Sequence, residues 1–218
     1  NITVGTAMTH EQAWSALRAG SEALDHVVDA GAEIVATGDM GIANTTPASA
    51  LAAAILGLPV ARVTGRGTGL DDAGLAGKVA VIERALATNR DRLLDPLSIL
   101  AALGGLEIAA LVGTILRGAA RRVPVVLDGF ISAAAAMVAD ALCPSARPYL
   151  VAAHRSVEPG HGFILDHLGL RPLLDLDLRL GEGTGAMLGL HLVDAAQAIL
   201  LGMATFEEAG VDDRPRGA

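Results

Sequence analysis

The sequence is poor in aromatic residues and almost free of cysteine. Phe, Tyr and Trp together make up 2% of 218 residues, and the formal net charge is −8. An acidic chain with so few stacking side chains is a poor fit to a nucleic-acid binder. Its one adjacent basic pair, Arg121-Arg122, reads as a solvated helix end. Cys143 is the sole cysteine, so no internal disulfide can form, and a cytoplasmic setting is expected. Charged residues are scarce too, at 18% against 52% hydrophobic. Such a chain can bury a large core and is not disordered. It nonetheless lacks a clean membrane span, although mean hydropathy is +0.48. The most apolar region, Ser98 to Ala120, carries Glu107 at its middle and is broken by Gly104-Gly105. A charge at a bilayer centre costs about 3 kcal/mol on insertion scales, so a pair of buried helices is the expectation. No charged-then-apolar signal segment opens the sequence. No cluster of His, Cys and carboxylates has metal-ligand spacing, so neither a metal nor a cofactor is expected. His161 and His167, on either side of Asp166, read as solvated or structural.

Short apolar runs alternate with helical patterns along the chain. Ile2 to Val4 reads as a short strand. Thr9 followed by Gln12 has the spacing of a capping box, opening a helix that stops at Gly31. Glu33 to Thr37 reads as a strand, and Pro47 marks the start of a helix ending near Gly57. The apolar run Val60 to Val63 reads as a strand candidate. Asp71 or Asp72 can cap a helix reaching Ala87, with Leu75, Val79, Ile82 and Leu86 on one face. Helices are expected at 96–103, 106–119, 130–142 and 160–168, and strands at Val123–Asp128, Tyr149–Ala153 and near Leu173–Asp175. Leu188 to Met203 reads as a final helix, with Thr184 able to cap it. The alternation predicts an α/β fold with a Rossmann-like parallel sheet flanked by helices. Functional loops should then collect at the carboxyl ends of the strands. The expected organisation is one α/β core over 1–218, its tail at 205–218 polar and frayed. No fixed-period repeat interrupts it.

Glycine-rich segments carry the chemistry. In Arg179-Leu-Gly-Glu-Gly-Thr-Gly-Ala-Met187 one carboxylate, Glu182, is bracketed by Gly181, Gly183 and Gly185, just ahead of a helix. Glycines let backbone approach a ligand, and a helix start favours an anion or a dipolar group. Glu182 is thus a candidate general base beside a ligand; alternatively, it faces water on an ordinary turn. Gly38-Asp-Met-Gly-Ile-Ala-Asn-Thr-Thr46 follows the run Ile34 to Ala36, and Gly65-Arg-Gly-Thr-Gly-Leu-Asp-Asp72 follows Val60 to Val63. Gly104-Gly105 opens an apolar helix. Pro124-Val-Val-Leu-Asp-Gly-Phe-Ile-Ser132 and His154-Arg-Ser156 complete the set.

Together these motifs resemble the nicotinate-nucleotide–dimethylbenzimidazole phosphoribosyltransferase family, which builds the lower-ligand nucleotide of cobalamin. The resemblance runs from Met8-Thr9 to Ala204–Gly210. It implies transfer of phosphoribose from nicotinate mononucleotide to 5,6-dimethylbenzimidazole, giving alpha-ribazole phosphate and nicotinate. Glu182 matches the family's base, and Asp39 matches its second carboxylate, one methylene shorter than the family's Glu; alternatively, Asp39 is a capping or turn aspartate. Asn44-Thr45-Thr46 and Gly65, Arg66, Gly67, Thr68 and Gly69 are implied to hold the 5′-phosphate, with Lys78 pointing back from the next helix; read alone, the glycine-rich segment is an ordinary loop and Lys78 a solvated helix residue. Met40, Gly41, Gly104, Gly105, Leu180, Gly181 and Gly183 are implied substrate contacts. Asp128 could hold a ribose hydroxyl or cap a helix. His154 and Arg155 could touch ligand or form a structural pair. Glu107 could bind ligand or fill a polar role in the core. The resemblance further implies a homodimer, for which Ser98 to Ala120 offers more apolar surface than one small sheet face needs, with small-molecule substrates, no nucleic acid and no membrane.

Two departures stand out. Ala43 replaces a family glycine, which is costly if a positive φ is needed there. The family's N-terminal Lys-Pro-Pro-Gly-Ser-Leu-Gly type motif is not in this sequence, so the expectation is a catalytic core with part of a small helical subdomain. The alternative is a mononucleotide-binding module without turnover. A dinucleotide-dependent oxidoreductase fits poorly, since no Gly-x-Gly-x-x-Gly follows the first strand with an acidic residue at the right distance.

Overall fold

The computed structural model describes residues 1–211. Its first helix, α1 (His10–Asp29), opens on the Thr9 capping box: Gln12 N–H donates to Thr9 Oγ1 at 3.1 Å, and Thr9 N–H donates to the Gln12 side chain at 2.8 Å. Ala13, Leu17, Gly20 and Leu24 share one buried face of α1, at helical spacing. That face lies on α6 (Leu106–Arg121). The two backbones touch there, because a Cβ at Gly20 would stand 1.8 Å from the Ala110 carbonyl oxygen, and one at Gly113 would stand 1.8 Å from that of Leu17.

Three parallel strands, β1 (Val35–Ala36), β2 (Val125–Leu127) and β3 (Leu150–Ala152), lie in the order β1-β2-β3. Val35 pairs with Val125, and Val126 with Val151. The crossover from β1 to β2 runs through α2 (Thr45–Leu56), α3 (Val60–Val63), α4 (Asp72–Asn89), α5 (Pro96–Leu103) and α6. That from β2 to β3 runs through α7 (Phe130–Leu142). Side chains alternate along the central strand: Val125 and Leu127 enter the main core, while Val126 joins Ala153 and Ala186 on the other side. That second layer is α9 (Thr184–Gly202). A two-stranded parallel sheet continues the fold, pairing β4 (His154–Ser156) with β5 (Leu174–Leu178), and α8 (Pro159–Leu168) lies between them in sequence. The α/β class with parallel sheets flanked by helices is as the alternation predicted.

Several local expectations need correcting. Ile2 to Val4 is a turn, held by Asn1, whose side-chain oxygen accepts the Thr3 N–H and hydroxyl. Val60–Val63 is a single helical turn after Pro59, not a strand; its buried Val60 and Val63 satisfy either reading of a short apolar run. Thr184 does not cap α9 but is its first residue, and Gly183 sits at the cap position without a side chain. Glu107 is exposed in the first turn of α6, where its charge suits the helix dipole rather than the core. The apolar stretch Ser98 to Ala120 is spent inside the chain, burying Leu100, Leu103, Ile108, Val112 and Ile115. Spare apolar surface lies on α9 instead, with Ile199, Leu200 and Leu201 largely exposed. Among the described residues α9 is the one helix long and apolar enough to cross a membrane by length and composition. Of the tail expected at 205–218, residues 205–211 are exposed turns and the rest lies outside the described residues.

Candidate active site

The loops at the carboxyl ends of the strands enclose a cleft of about 870 Å³. The loop after β1 brings Asp39, Met40, Gly41, Ala43, Asn44, Thr45 and Thr46 to its wall, and the loop after β5 brings Leu180, Gly181 and Glu182. These two loops are zipped together. Glu182 N–H donates to the Asp39 carbonyl at 3.0 Å, and a Cβ at Gly38 would stand 2.5 Å from Gly183 N. The two candidate carboxylates, far apart in sequence, therefore line one wall.

Two of the four non-glycine residues at positive φ among the described residues, Ala43 and Glu182, lie here. Gly181, Glu182 and Gly183 are consecutive left-handed residues, at φ 76°, 59° and 80°. Only the middle one carries a side chain, and a non-glycine residue held there is restrained by its surroundings. The glycine bracket lets the chain turn three times the same way and present Glu182 at the tip. Ala43 has φ 74°, so the position where the family has glycine does demand the left-handed region. Asp39 Oδ1 accepts a hydrogen bond from the Asn44 amide, which folds the loop back on the start of α2.

Lys78 projects from α4 across the floor. It is 9% exposed, not solvated, and its Nζ donates to Thr45 Oγ1 at 2.8 Å and to the Gly65 carbonyl at 3.0 Å. Burial pulls its pKa below the ordinary lysine value, and the nearby Glu158 carboxylate works against that shift. One oxygen of Glu158 accepts the Gly67 N–H at 2.9 Å, while the other is buried without a partner. Arg66 and Thr68 also line the cleft, with Arg66 paired to Asp72. The floor thus offers an ammonium and a hydroxyl, groups that hold a phosphate monoester, beside a Glu158 carboxylate that already takes the Gly67 N–H.

Other sequence-predicted residues stand back from the cleft. Gly69 is beyond its rim at φ 121°, and Gly65 contributes only its carbonyl to Lys78. Gly104 and Gly105 form the joint between α5 and α6, where Gly104 N–H closes the first helix on Leu100. Arg155 turns outward toward Asp175, at 3.6 Å. Asp128 is 2% exposed and caps α9 rather than the helix after Gly129. His154 reaches the cleft from β4 but is itself buried, its Nε2 facing Asp128 Oδ1 at 3.4 Å. His161 lies edge-on to it, with ring centroids 6.0 Å apart. Leu70, Phe130, Ile131, Ser156 and Arg179 line the cleft from within the quoted motifs without having been singled out as contacts, while Glu158 and Val81 lie outside every motif. Ser156 ends β4 and Glu158 follows it, so the rule that loops at strand carboxyl ends carry function could have found them. Nothing in local sequence flags Val81, which needs α4 to be packed first.

Comparison with known proteins gives a consistent result. A family model described as phosphoribosyltransferase matches residues 1–211. The chain is 58% identical over 211 residues to the nicotinate-nucleotide–dimethylbenzimidazole phosphoribosyltransferase of Desulforudis audaxviator (strain MP104C), covering 97% of this chain and 60% of that one. It is 58% identical over 214 residues to the enzyme of the same name from Roseiflexus sp. (strain RS-1), covering 98% and 61%. The crystal structure of CobT from Thermus thermophilus superposes with a TM-score of 0.93 at 51% identity, over 100% of this chain and 64% of that chain. The chain spans about 60% of the length of the curated relatives it matches.

Proposed function

As the chain belongs to the phosphoribosyltransferase family, we propose that it moves phosphoribose from nicotinate mononucleotide to 5,6-dimethylbenzimidazole, releasing nicotinate and forming alpha-ribazole phosphate. The observation that carries this reading is the shared wall of Glu182 and Asp39 above the pocket of Lys78 and Thr45. The 5′-phosphate sits against Lys78, the Asn44–Thr46 turn and the Gly67 region. Apolar side chains of Leu70, Val81, Phe130 and Ile131 give the planar bases an apolar surface. The bond from C1′ to the pyridinium nitrogen breaks and its electron pair leaves with nicotinate, so no acid is needed. One benzimidazole nitrogen bonds to C1′. The proton on its other nitrogen passes to Glu182, which prevents a cationic product. Asp39 favours the positive charge that the sugar develops.

The protein works in the cytoplasm as a homodimer, in keeping with its free, exposed Cys143 and the bare apolar face of α9. That helix belongs to the α/β unit, because its Ala186 and Gly189 pack on Ala153 beside β3.

The test is Glu182→Gln, assayed in the longest natural form of the protein. Affinity for nicotinate mononucleotide, read by calorimetry, should stay within about threefold. Formation of alpha-ribazole phosphate should fall by roughly 10²–10⁴-fold, the usual worth of a positioned base. Asp39→Asn should cost less. Equal turnover in Glu182→Gln and wild type would sink the assignment. Tight mononucleotide binding with no transfer to any benzimidazole in the wild type would leave a binding module instead.

A further inference from the structure

Asp128 follows the central strand directly, with its carboxylate pointed at α9. Its Oδ1 accepts the N–H groups of Gly185 at 2.9 Å and Ala186 at 3.2 Å, and its Oδ2 accepts that of Gly183 at 3.1 Å. Three of the orphan amides at the start of α9 are thereby satisfied by one side chain from another element. A capping residue normally lies on the chain just ahead of its helix. Here that place is held by Gly183, which has no side chain, and the residue before it is Glu182. The cap therefore grips the segment that holds the base.

We propose that Asp128 is a positioning residue for Glu182, fixing the left-handed turn that presents this carboxylate to the cleft. The inference rests on the reading of Glu182 as the base. Three consecutive left-handed residues do not hold themselves, since each such residue other than glycine costs of order 1–3 kcal/mol and persists only when over-determined. The Asp39 carbonyl grips the turn at Glu182 N–H, and Asp128 grips it just beyond. His154 closes the arrangement from behind: a Cβ at Gly185 would stand 2.0 Å from its ring, so ring and helix start are in contact. Burial by itself would raise the Asp128 carboxyl's pKa. The adjoining His154 and the donated backbone amides outweigh burial and hold it below the usual carboxylate range, so it stays an acceptor. With its oxygens engaged by backbone and 2% of its surface exposed, Asp128 acts through the turn rather than on substrate.

A double-mutant cycle tests this in the longest natural form of the protein. Asp128→Asn keeps the shape but turns an amide toward amides. Its kcat should fall by about 10- to 100-fold, the cost of a displaced reacting group, while mononucleotide affinity stays within about threefold. In a Glu182→Gln background, Asp128→Asn should cost less than about threefold more, because the group it positions is already gone. Full multiplicativity of the two losses, or a kcat for Asp128→Asn within about twofold of wild type, would overturn the proposal. Wild-type turnover in Glu182→Gln would instead sink the base reading. The positioning claim is then read from amide hydrogen exchange, where Gly183, Gly185 and Ala186 should lose protection in Asp128→Asn, and unchanged protection there refutes it. If Asp128→Asn does not fold, Asp128→Ser replaces it in the same cycle.

Discussion

His161 is fully buried, and its Nδ1 accepts the N–H of Ser156 at 2.9 Å. Burial, aided by the neighbouring His154 and Arg155 and opposed by Asp128, pushes its pKa down to about 3. The ring is therefore neutral in the folded protein, whereas the unfolded chain takes up a proton below about pH 6.5. Stability from this group is complete above that pH and drains as pH falls toward 3, at up to roughly 1.4 kcal/mol per unit. Asp128, whose pKa is depressed, adds a loss in the same direction only at lower pH. His161→Asn, which can still accept from Ser156, should flatten the fall in urea-unfolding free energy between pH 6 and pH 4. Equal slopes in variant and wild type would show that another group carries the acid sensitivity.

At the scale of elements, α1 and α6 depend on two glycines. Ser21 Oγ donates to the Gly113 carbonyl and Thr114 Oγ1 to the Gly20 carbonyl, each at 3.1 Å, so each helix bonds to the other's backbone. That approach leaves no room for a methyl group. Gly113→Ala should lower stability by about 1–3 kcal/mol, because a Cβ 1.8 Å from the Leu17 carbonyl oxygen forces the helices apart. Gly77→Ala is the contrasting case. It lies exposed inside α4 with open space around it, so it should gain about 0.5–1 kcal/mol from helix propensity and a less flexible unfolded chain. Urea midpoints of the two variants should move in opposite directions. A shared direction would mean that close approach is not what these glycines are for.

At the scale of the molecule, α9 exposes a run of apolar side chains among the described residues. Leu192, Ile199, Leu200, Leu201 and Met203 are exposed, Leu200 at 82%, on a helix whose other face holds the sheet. An apolar surface of this kind is what an obligate partner buries. Light scattering across the micromolar range should give the mass of two chains. Leu200→Asp with Leu201→Asp should halve that mass while leaving far-ultraviolet circular dichroism unchanged. A single-chain mass for the unaltered protein at every concentration would count against the dimer.

By itself the sequence determined the local features. Capping chemistry at Thr9 and Gln12, the glycine stop at Gly57 and the joint at Gly104-Gly105 depend on neighbours a few positions away, so spacing reveals them. The strand and helix alternation fixed the class, and the glycine bracket around Glu182 foretold a backbone turning where other residues are strained. For Ala43 the sequence raised a positive φ only as a condition, through the glycine that the resembling family has there, and the fold shows that condition met. Tertiary structure decided what depends on contacts between distant segments. It brought Asp39 beside Glu182, drew Lys78 from a nominally solvated helix face onto Thr45, and moved the cap of α9 from Thr184 to Asp128, just past β2. It also decided that Val60–Val63 coils and that Ser98 to Ala120 is spent in the core while α9 stays bare. A short apolar run satisfies strand and helix alike, and a polar side chain's partner is chosen by whichever segment the fold packs against it.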